Sequence, residues 1–433
     1  MGTLEVKVDA TLRHSIIRRS SGFTIAFLAG HAFNYALLWG ANRILNPAAF
    51  GVFYAAFVTL TVAMSPMMAA TLVLARRFAE IGAESGHQQL ATTTWRVISL
   101  CTRAAPIALA TGVVLAIAAP WFGIQGWQVV LLIPITVLAL TVVEVIRASL
   151  QSMLLFVRAS VLWVAGTGIE CLLSLAALYL FTTVWTGIAG LLAGGVLASA
   201  ACLPWFAAAA RREEVAALPG LHLRREVPMI VSYSLFILFN NVDMLLGYWL
   251  LSQQELGRYA ASALLPKAII AATFAIAQVV LPVVTEQRTG GISFRLSAAK
   301  GVAMAGVAAA FAAGLLWLVM PFIQRTPFAI RSLDFELMGI LTIAAVALSI
   351  VRVLVVIEVA LQRYAVGLAQ TAALVMFVVL SVSFHANALR LAEIYSITSG
   401  AFLLLSSGIV AASWVAPSRW MHLRLGKAEN RRS

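Results

Sequence analysis

The sequence predicts an all-α, polytopic membrane protein, with twelve transmembrane helices arranged as two parallel-repeat six-helix lobes around a central cavity. The first observation behind this prediction is composition. Of the 433 residues, 62% are hydrophobic and only 11% are charged, and the mean hydropathy is +0.95. A soluble protein carries about a quarter charged residues. The chain is therefore expected to lie within a lipid bilayer.

The second observation is a succession of apolar stretches of about 20 residues, the length that spans a bilayer as a helix. The first stretch follows the basic segment RHSIIRRS and is too long for a signal-peptide core, so it is expected to remain as a membrane span. The predicted helices lie near 22–41, 50–72, 98–119, 127–148, 159–181, 187–209, 228–251, 260–284, 301–323, 337–357, 365–385 and 394–416.

The distribution of positive charge orients these helices. Most of the 30 Lys and Arg residues fall in the N-terminal tail, the even-numbered loops and the C-terminal tail. Cytoplasmic loops carry such an excess, so both termini are predicted to be cytoplasmic. Topology also explains the net charge of +13, and no nucleic-acid partner is expected. The odd-numbered loops hold only Arg43, Arg258, Arg325, Arg331 and Arg390.

The sequence lacks the motifs that several kinds of enzyme or metal site require. The three cysteines lie in apolar segments at no metal-ligand spacing, so neither a disulfide framework nor a metal site is predicted. No phosphate-binding Gly-Lys-Ser/Thr loop is present, which argues against ATP hydrolysis. The predicted outer loops are too short for the catalytic residues of a membrane glycosyltransferase. The expectation is a protein without catalytic residues that is not an enzyme, although an intramembrane enzyme stays open as an alternative.

The third observation is a division of the chain into two similar halves. The most polar internal stretch, RREEVAALPGLHLRRE at 211–226, separates six predicted helices from six. The predicted units are an N-terminal lobe, 1–215, and a C-terminal lobe, 216–433. Because each lobe holds an even number of helices, both begin on the same side of the membrane, and the repeats are parallel. Two such bundles leave a cleft between them, which suits transport by alternating access.

Matching residues support this internal repeat. A shift of 206 residues aligns the dipeptide Phe-Asn at 33–34 with the one at 239–240, and the same shift places Gly51 on Gly257. At a shift of 205, Arg147 and Arg158 match a second pair of arginines with the same separation. That second pair is Arg352 and Arg363. No single match is specific, but the ordered set indicates two copies of one unit.

Ionisable and amide side chains share helix faces with small residues on four predicted helices, namely one, five, seven and eight. A face turned to lipid would not carry such groups, whereas the wall of a hydrated cavity could. The residues predicted to line this cavity or bind substrate are His31, Asn34, Glu170, Tyr233, Asn240, Asn241, Asp243, Lys267 and Gln278.

These residues also have structural interpretations. Asp243 could form an ion pair with Lys267, and Lys267 could instead extend its ammonium group to the outer interface. Asn34 and Asn240 could hydrogen-bond between helices, and His31 could be an ordinary hydrogen-bonded histidine. The sequence leaves these alternatives open.

The carboxylates within the apolar segments suggest a second role. Asp243 and Glu170 are the candidates for coupling transport to an ion, H⁺ or Na⁺, and no other cofactor is expected. Arg352 matches Arg147, which lies at a predicted cytoplasmic helix end. Both arginines are therefore expected at the membrane interface, with Glu144 near enough to pair with Arg147.

Two passages resemble a known family. RILNPAAFGVFYAAFVTLTVAMSPMMAATLVLARRFAE at 43–80 is similar to the passage from the first to the second helix of bacterial polysaccharide, O-antigen-type flippases. FNNVDMLLGYWLLSQQELGRYAASALL at 239–265 is similar to the seventh-helix region of these oligosaccharide-lipid exporters of the multidrug/oligosaccharidyl-lipid/polysaccharide (MOP) superfamily. The residues that carry the resemblance are Arg43, Pro47, Phe50, Gly51, Phe53, Gly257, Tyr259 and Ala260.

The resemblance implies a flippase of the bacterial cytoplasmic (inner) membrane. It would move a polyprenyl-diphosphate-linked oligosaccharide outward for synthesis of lipopolysaccharide or exopolysaccharide. Its partners would be this lipid-linked oligosaccharide, membrane lipids, and polysaccharide polymerase and export proteins. Lys267 would be the best-placed intramembrane cation for the diphosphate. The alternatives are a proton- or sodium-coupled multidrug/cation antiporter and, in another class, a non-transporting scaffold or enzyme of envelope assembly.

Overall fold

The computed structural model describes residues 28–118, 131, 133–152, 156–210, 223–289, 293–326, 329–361, 363, 365–384 and 387–415. These residues form helices and short connections, and no strand occurs among them. The helices are α1 (28–44), α2 (Pro47–Arg103), α3 (Ala105–Ala118), α4 (Ile133–Ser152), α5 (Phe156–Phe181), α6 (Val184–Ala210), α7 (Leu223–Leu250), α8 (Gln253–Thr289), α9 (Arg295–Ile323), α10 (Phe335–Ala360), α11 (Ala365–Phe384) and α12 (Ala388–Val415).

The predicted fold class is confirmed. Within the described residues, nine helices are long and apolar enough to cross a membrane, and a tenth span is formed if the bent pair around Ala104 is counted as one. Twelve helical segments follow one another where twelve spans were predicted. The all-α membrane fold therefore follows from hydropathy alone.

The second and third predicted helices differ from the expectation, because α2 continues from the second through the predicted loop and into the first residues of the third, up to Arg103. The polar stretch at 74–93 between them is rich in Ala, Arg, Glu and Gln and has no proline, so its residues favour helix over loop. The chain breaks later, at Ala104, where the axis bends by 41° into α3.

Helices of the same half of the chain pack mainly against one another. Helices α2 to α6 pack against one another, and so do α7 to α12. Between these two groups, α2 makes the contacts, with α7 and α8. The predicted lobe boundary after residue 215 falls in 211–222, outside the described residues, so the division at that position stays a prediction.

The first turns of α2 and α8 cross at two glycines, Gly51 and Gly257. A Cβ atom on Gly51 would lie 2.7 Å from the Gly257 backbone nitrogen, and one on Gly257 would lie 2.0 Å from the Pro47 carbonyl oxygen. Only glycine allows the two backbones to approach this closely. The two residues that the internal repeat equates are therefore in direct contact.

The same end of the bundle is held by polar contacts between the halves. The Asn42 side-chain amide forms two hydrogen bonds with the backbone of Arg331. It accepts from the N–H at 2.8 Å and donates to the C=O at 3.2 Å. Arg43 donates to the Ala329 carbonyl at 3.3 Å. We call this end, where α1 stops and α2 starts, the closed end.

The glycine crossing predicts that an added methyl group destabilises the protein at Gly257 but not at a glycine outside the crossing. We expect Gly257→Ala to destabilise the protein by on the order of 1–3 kcal/mol, because the methyl group meets backbone that cannot move aside. Gly314→Ala is the matched control, since nothing lies within 4 Å of its Cβ position in α9. That variant should be neutral or gain up to about 1 kcal/mol from helix propensity. Thermal unfolding in detergent measures both, and equal stability of the two variants would contradict the crossing.

Candidate functional site

The carboxylate of Asp243 lies on α7 and is completely buried, at 0% exposure. Its two oxygens each have a partner from α8: the Lys267 ammonium lies 2.7 Å from Oδ1, and the Tyr259 hydroxyl donates to Oδ2 at 3.0 Å. Tyr259 and Lys267 share a face of α8 because they lie about two turns apart. An ion pair with Lys267 was one of the interpretations that the sequence left open, and the geometry shows this pair.

Lys267 also fixes the position of a third helix. Its Nζ donates to the Asn240 carbonyl at 2.9 Å and lies 5.9 Å from the ring centre of Tyr395 on α12. The Tyr395 hydroxyl donates to the same carbonyl at 3.0 Å. The lysine therefore points to the interior and does not extend to the interface. Its contacts tie α7, α8 and α12 together.

The two amides beside Asp243 differ in their contacts. Asn241 donates to the Ile237 carbonyl one turn back in its own helix at 2.9 Å, which is a local contact. The side-chain Oδ1 of Asn240 is buried and accepts no hydrogen bond from the described residues. Asn240 thus contributes its backbone carbonyl to the network around Lys267.

A separate cavity of about 190 Å³ lies among α1, α2, α4, α5 and α6. Three predicted site residues line it: His31 and Asn34 from α1, and Glu170 from α5. Most of the remaining lining is apolar, with Trp163 and Met64 among the larger side chains. The cavity therefore belongs to the first six helices.

Glu170 owes its place to close packing between α5 and α6. A Cβ atom on Gly194 would lie 2.6 Å from the Glu170 Cα, and one on Gly195 would lie 3.4 Å from its Oε1. Small residues on α6 thus leave room for the carboxylate at the cavity wall. Glu144 from α4 lines the same cavity and forms an ion pair with Arg147, as expected. Glu170 makes no ion pair with any described residue.

The arginines that the repeat equates, Arg147 and Arg352, lie in similar surroundings. The Arg147 guanidinium stacks on the Trp163 ring at 4.6 Å, and that of Arg352 stacks on Phe274 at 3.9 Å. The Trp163 ring under Arg147 lies 6.3 Å from the His31 ring of α1, edge to face. The two arginines, 205 positions apart in sequence, are thus each held against an aromatic ring.

Arg352 was expected at the membrane interface, and the structure shows which neighbouring groups it contacts there. It donates to the Ile270 carbonyl of α8 at 3.1 Å, and Tyr233 and Tyr35 lie beside its guanidinium. Aromatic rings and a carbonyl hold the cation within the bundle. The signal that could have identified it was present in the sequence: its repeat partner Arg147 also lies in an otherwise apolar run.

The nine predicted residues therefore fall into separate groups. His31, Asn34 and Glu170 line the cavity, and Tyr233 lies beside Arg352. Residues 240, 241, 243 and 267 lie in or next to the buried ion-pair network, and the side chain of Gln278 is outside the described set. Sequence reasoning did not place these further residues among the cavity or substrate-binding residues: Arg147, Trp163, Tyr259, Arg352 and Tyr395. Among the described residues, no group of three or more His, Cys, Asp or Glu side chains could hold a metal ion.

No family model and no curated protein matches the sequence. Solved structures do match the fold. The eukaryotic MATE transporter AtDTX14 aligns with a TM-score of 0.65 at 12% identity, over 92% of this chain and 96% of its own. The lipid II flippase MurJ, in an inward closed conformation, aligns with a TM-score of 0.62 at 14% identity, over 91% of this chain and 87% of its own.

A MOP superfamily transporter from Pyrococcus furiosus aligns with a TM-score of 0.61 at 16% identity, over 92% of this chain and 94% of its own. Coverage above nine tenths of this chain means that the likeness extends over both halves. At sequence identities of 12–16%, these matches show a shared fold and do not show a shared activity. The chain therefore has the fold of the MATE and MurJ transporters.

Proposed function

We propose that the protein is a membrane transporter that moves a polyprenyl-diphosphate-linked oligosaccharide across the bacterial cytoplasmic membrane by alternating access, for cell-surface polysaccharide synthesis. The observation that carries this proposal is a pair of arginines, one in each half, that are held against aromatic rings: Arg147 lies on Trp163 and Arg352 on Phe274. An anion bound by both would contact both halves of the molecule at once.

The surroundings of the arginines suit a sugar diphosphate. Planar guanidinium groups bind phosphate oxygens in pairs, and stacking on Trp163 and Phe274 orients the two planes before a ligand arrives. Tyr233 beside Arg352 and Asn34 on the cavity wall add a hydroxyl and an amide that sugar hydroxyls can hydrogen-bond. The isoprenoid tail of the substrate would stay in the lipid.

The closed end supports the mechanism. By the distribution of charged loops, the closed end faces the outside and both termini face the cytoplasm. The glycine crossing and the hydrogen bonds between Asn42 and Arg331 hold the two halves together at this end, which on this proposal is the side where the substrate would leave. A ligand that contacts both halves binds the open and closed states with different affinity, which is what a shift between states requires.

Glu170 is the carboxylate that we assign to ion coupling, with H⁺ or Na⁺ as the ion. It lines the cavity and lacks an ion-pair partner among the described residues, whereas Asp243 has Lys267 as a counter-ion within 2.7 Å. The other carboxylate of the cavity, Glu144, is already paired with Arg147, which leaves Glu170 for the ion. Polysaccharide polymerase and export proteins would act on the delivered glycan as partners.

The cavity itself favours a second candidate function. Its lining of Phe57, Met64, Met68 and Trp163 with two carboxylates would suit a hydrophobic organic cation. Several structures with this fold are multidrug MATE transporters. A proton- or sodium-coupled cation antiporter is therefore the alternative, and it would use Glu170 and Glu144 in place of the arginines.

Replacement of the arginines tests the proposed substrate. We expect Arg352→Gln and Arg147→Gln each to reduce transport of polyprenyl-linked glycan by about tenfold or more, because a charge-assisted hydrogen bond contributes about 1.5–3 kcal/mol. Arg158→Gln, an exposed arginine at the start of α5, is the matched control and should transport normally. The measurement is the leaflet distribution of the labelled glycan lipid in vesicles.

The same vesicles separate the alternatives. Proton-driven efflux of a cationic dye that Glu170→Gln abolishes and Arg352→Gln preserves would favour the antiporter. If neither glycan nor dye moves with the wild-type protein, a scaffold or an enzyme of envelope assembly becomes the better explanation.

A double replacement tests the role of the buried ion pair. We expect Asp243→Asn alone and Lys267→Met alone each to insert into the membrane, but to lose about 3–5 kcal/mol of stability and transport poorly, because each leaves a buried polar partner unsatisfied. The combined variant should recover most of the stability, and transport with it. Thermal unfolding and the vesicle assay measure the two quantities. A stable double variant that cannot transport would instead assign Asp243 to ion coupling.

A further inference from the structure

A groove of about 380 Å³ runs along the outside of the bundle, between the second half of α8 and the first half of α9. Its walls are apolar and open outward: Val279 is 50% exposed, Val283 38% and Met304 59%. In its most apolar window α9 is only 11% buried, so this helix lies at the periphery of the described bundle. The groove therefore opens toward lipid.

The floor of the groove is fixed by a glycine. A Cβ atom on Gly301 would lie 2.5 Å from a methyl group of Val280, so α8 and α9 touch at this point with no space between them. Beneath it, Val280 and Val284 pack with α10 in a buried apolar cluster. The floor is thus closed by packed side chains, and whatever fills the groove must come from the membrane side.

One end of the groove is polar. Among the residues whose side chains the structure describes, the polar ones that line the groove are Ser297 and Lys300, in the first two turns of α9, and the Lys300 side chain is exposed. The distribution of charged loops places this end at the cytoplasmic face. Anionic lipids are concentrated in that leaflet, and basic pockets between transmembrane helices bind their headgroups.

We propose that this groove is a binding site for an anionic glycerophospholipid. An acyl chain lies against Val279, Val283 and Met304, and the phosphate accepts hydrogen bonds from the Lys300 ammonium and the Ser297 hydroxyl. One lysine matches the single charge of a phosphodiester. The diphosphate of a polyprenyl carrier carries more charge and is better matched by the two arginines of the proposed substrate site. The groove shares no lining residue with that site or with the first-half cavity.

Native mass spectrometry of the purified protein, titrated with phosphatidylglycerol and with phosphatidylcholine, tests the proposal without any transport assay. We expect the wild type to prefer phosphatidylglycerol. Lys300→Ala should weaken its binding about fivefold, the effect of one cation near the headgroup, and should leave phosphatidylcholine binding unchanged. Lys300→Arg should keep the preference. Val283→Trp fills the groove and should weaken binding of both lipids.

Arg158→Ala is the control, because it removes an exposed cation from the same predicted face of the membrane at a distant helix. It should bind both lipids as the wild type does. Equal binding of the two lipids by the wild type would overturn the proposal. So would phosphatidylglycerol binding that neither Lys300→Ala nor Val283→Trp alters in folded protein, or a co-purified polyprenyl phosphate that Val283→Trp displaces in place of a glycerophospholipid.

Discussion

A charge inside an apolar bundle must find its partners within the protein, because hydrocarbon supplies none. The Asp243–Lys267 pair shows how far this constraint reaches. Both oxygens of the carboxylate are satisfied by α8, and the lysine also binds the Asn240 carbonyl beneath Tyr395 of α12. Three helices are thereby held in one arrangement. The same constraint stacks Arg352 on Phe274 and pairs Glu144 with Arg147.

The predicted internal repeat equates residues of the two halves, and one equated pair lies at the contact between them. Gly51 and Gly257 occupy equivalent places and touch each other at the closed end. Arg147 and Arg352 occupy equivalent places in the repeat, and each lies against an aromatic ring. The first pair sets how closely the halves meet, and the second places one buried cation in each half.

The interior combines two opposite electrostatic surroundings. Arg147 and Arg352 are cations held against aromatic rings, whereas the cavity that His31 lines has two carboxylates, Glu170 and Glu144, of which Glu144 is paired with Arg147. The proposed functions differ in which of these holds the substrate and which serves the coupling ion. A transporter that binds an anionic headgroup at the arginines and a coupling ion at Glu170 would use both regions. A cationic substrate in the cavity would leave the arginine pair without a role.

The sequence by itself determined the membrane setting, the succession of helical segments and the internal repeat, because hydropathy, loop charge and residue spacing are local properties of the chain. It missed the continuous helix through 74–93, where polar residues that suggest a loop are also good helix formers. It identified the helix faces of Asp243, Lys267, His31 and Glu170 but not their neighbours. A helical wheel gives direction along one helix, while the partner depends on which helices pack and how closely. Only the tertiary structure decided that Asp243 is matched by Lys267, that Glu170 lines a cavity of the first half, and that Arg352 stacks on Phe274.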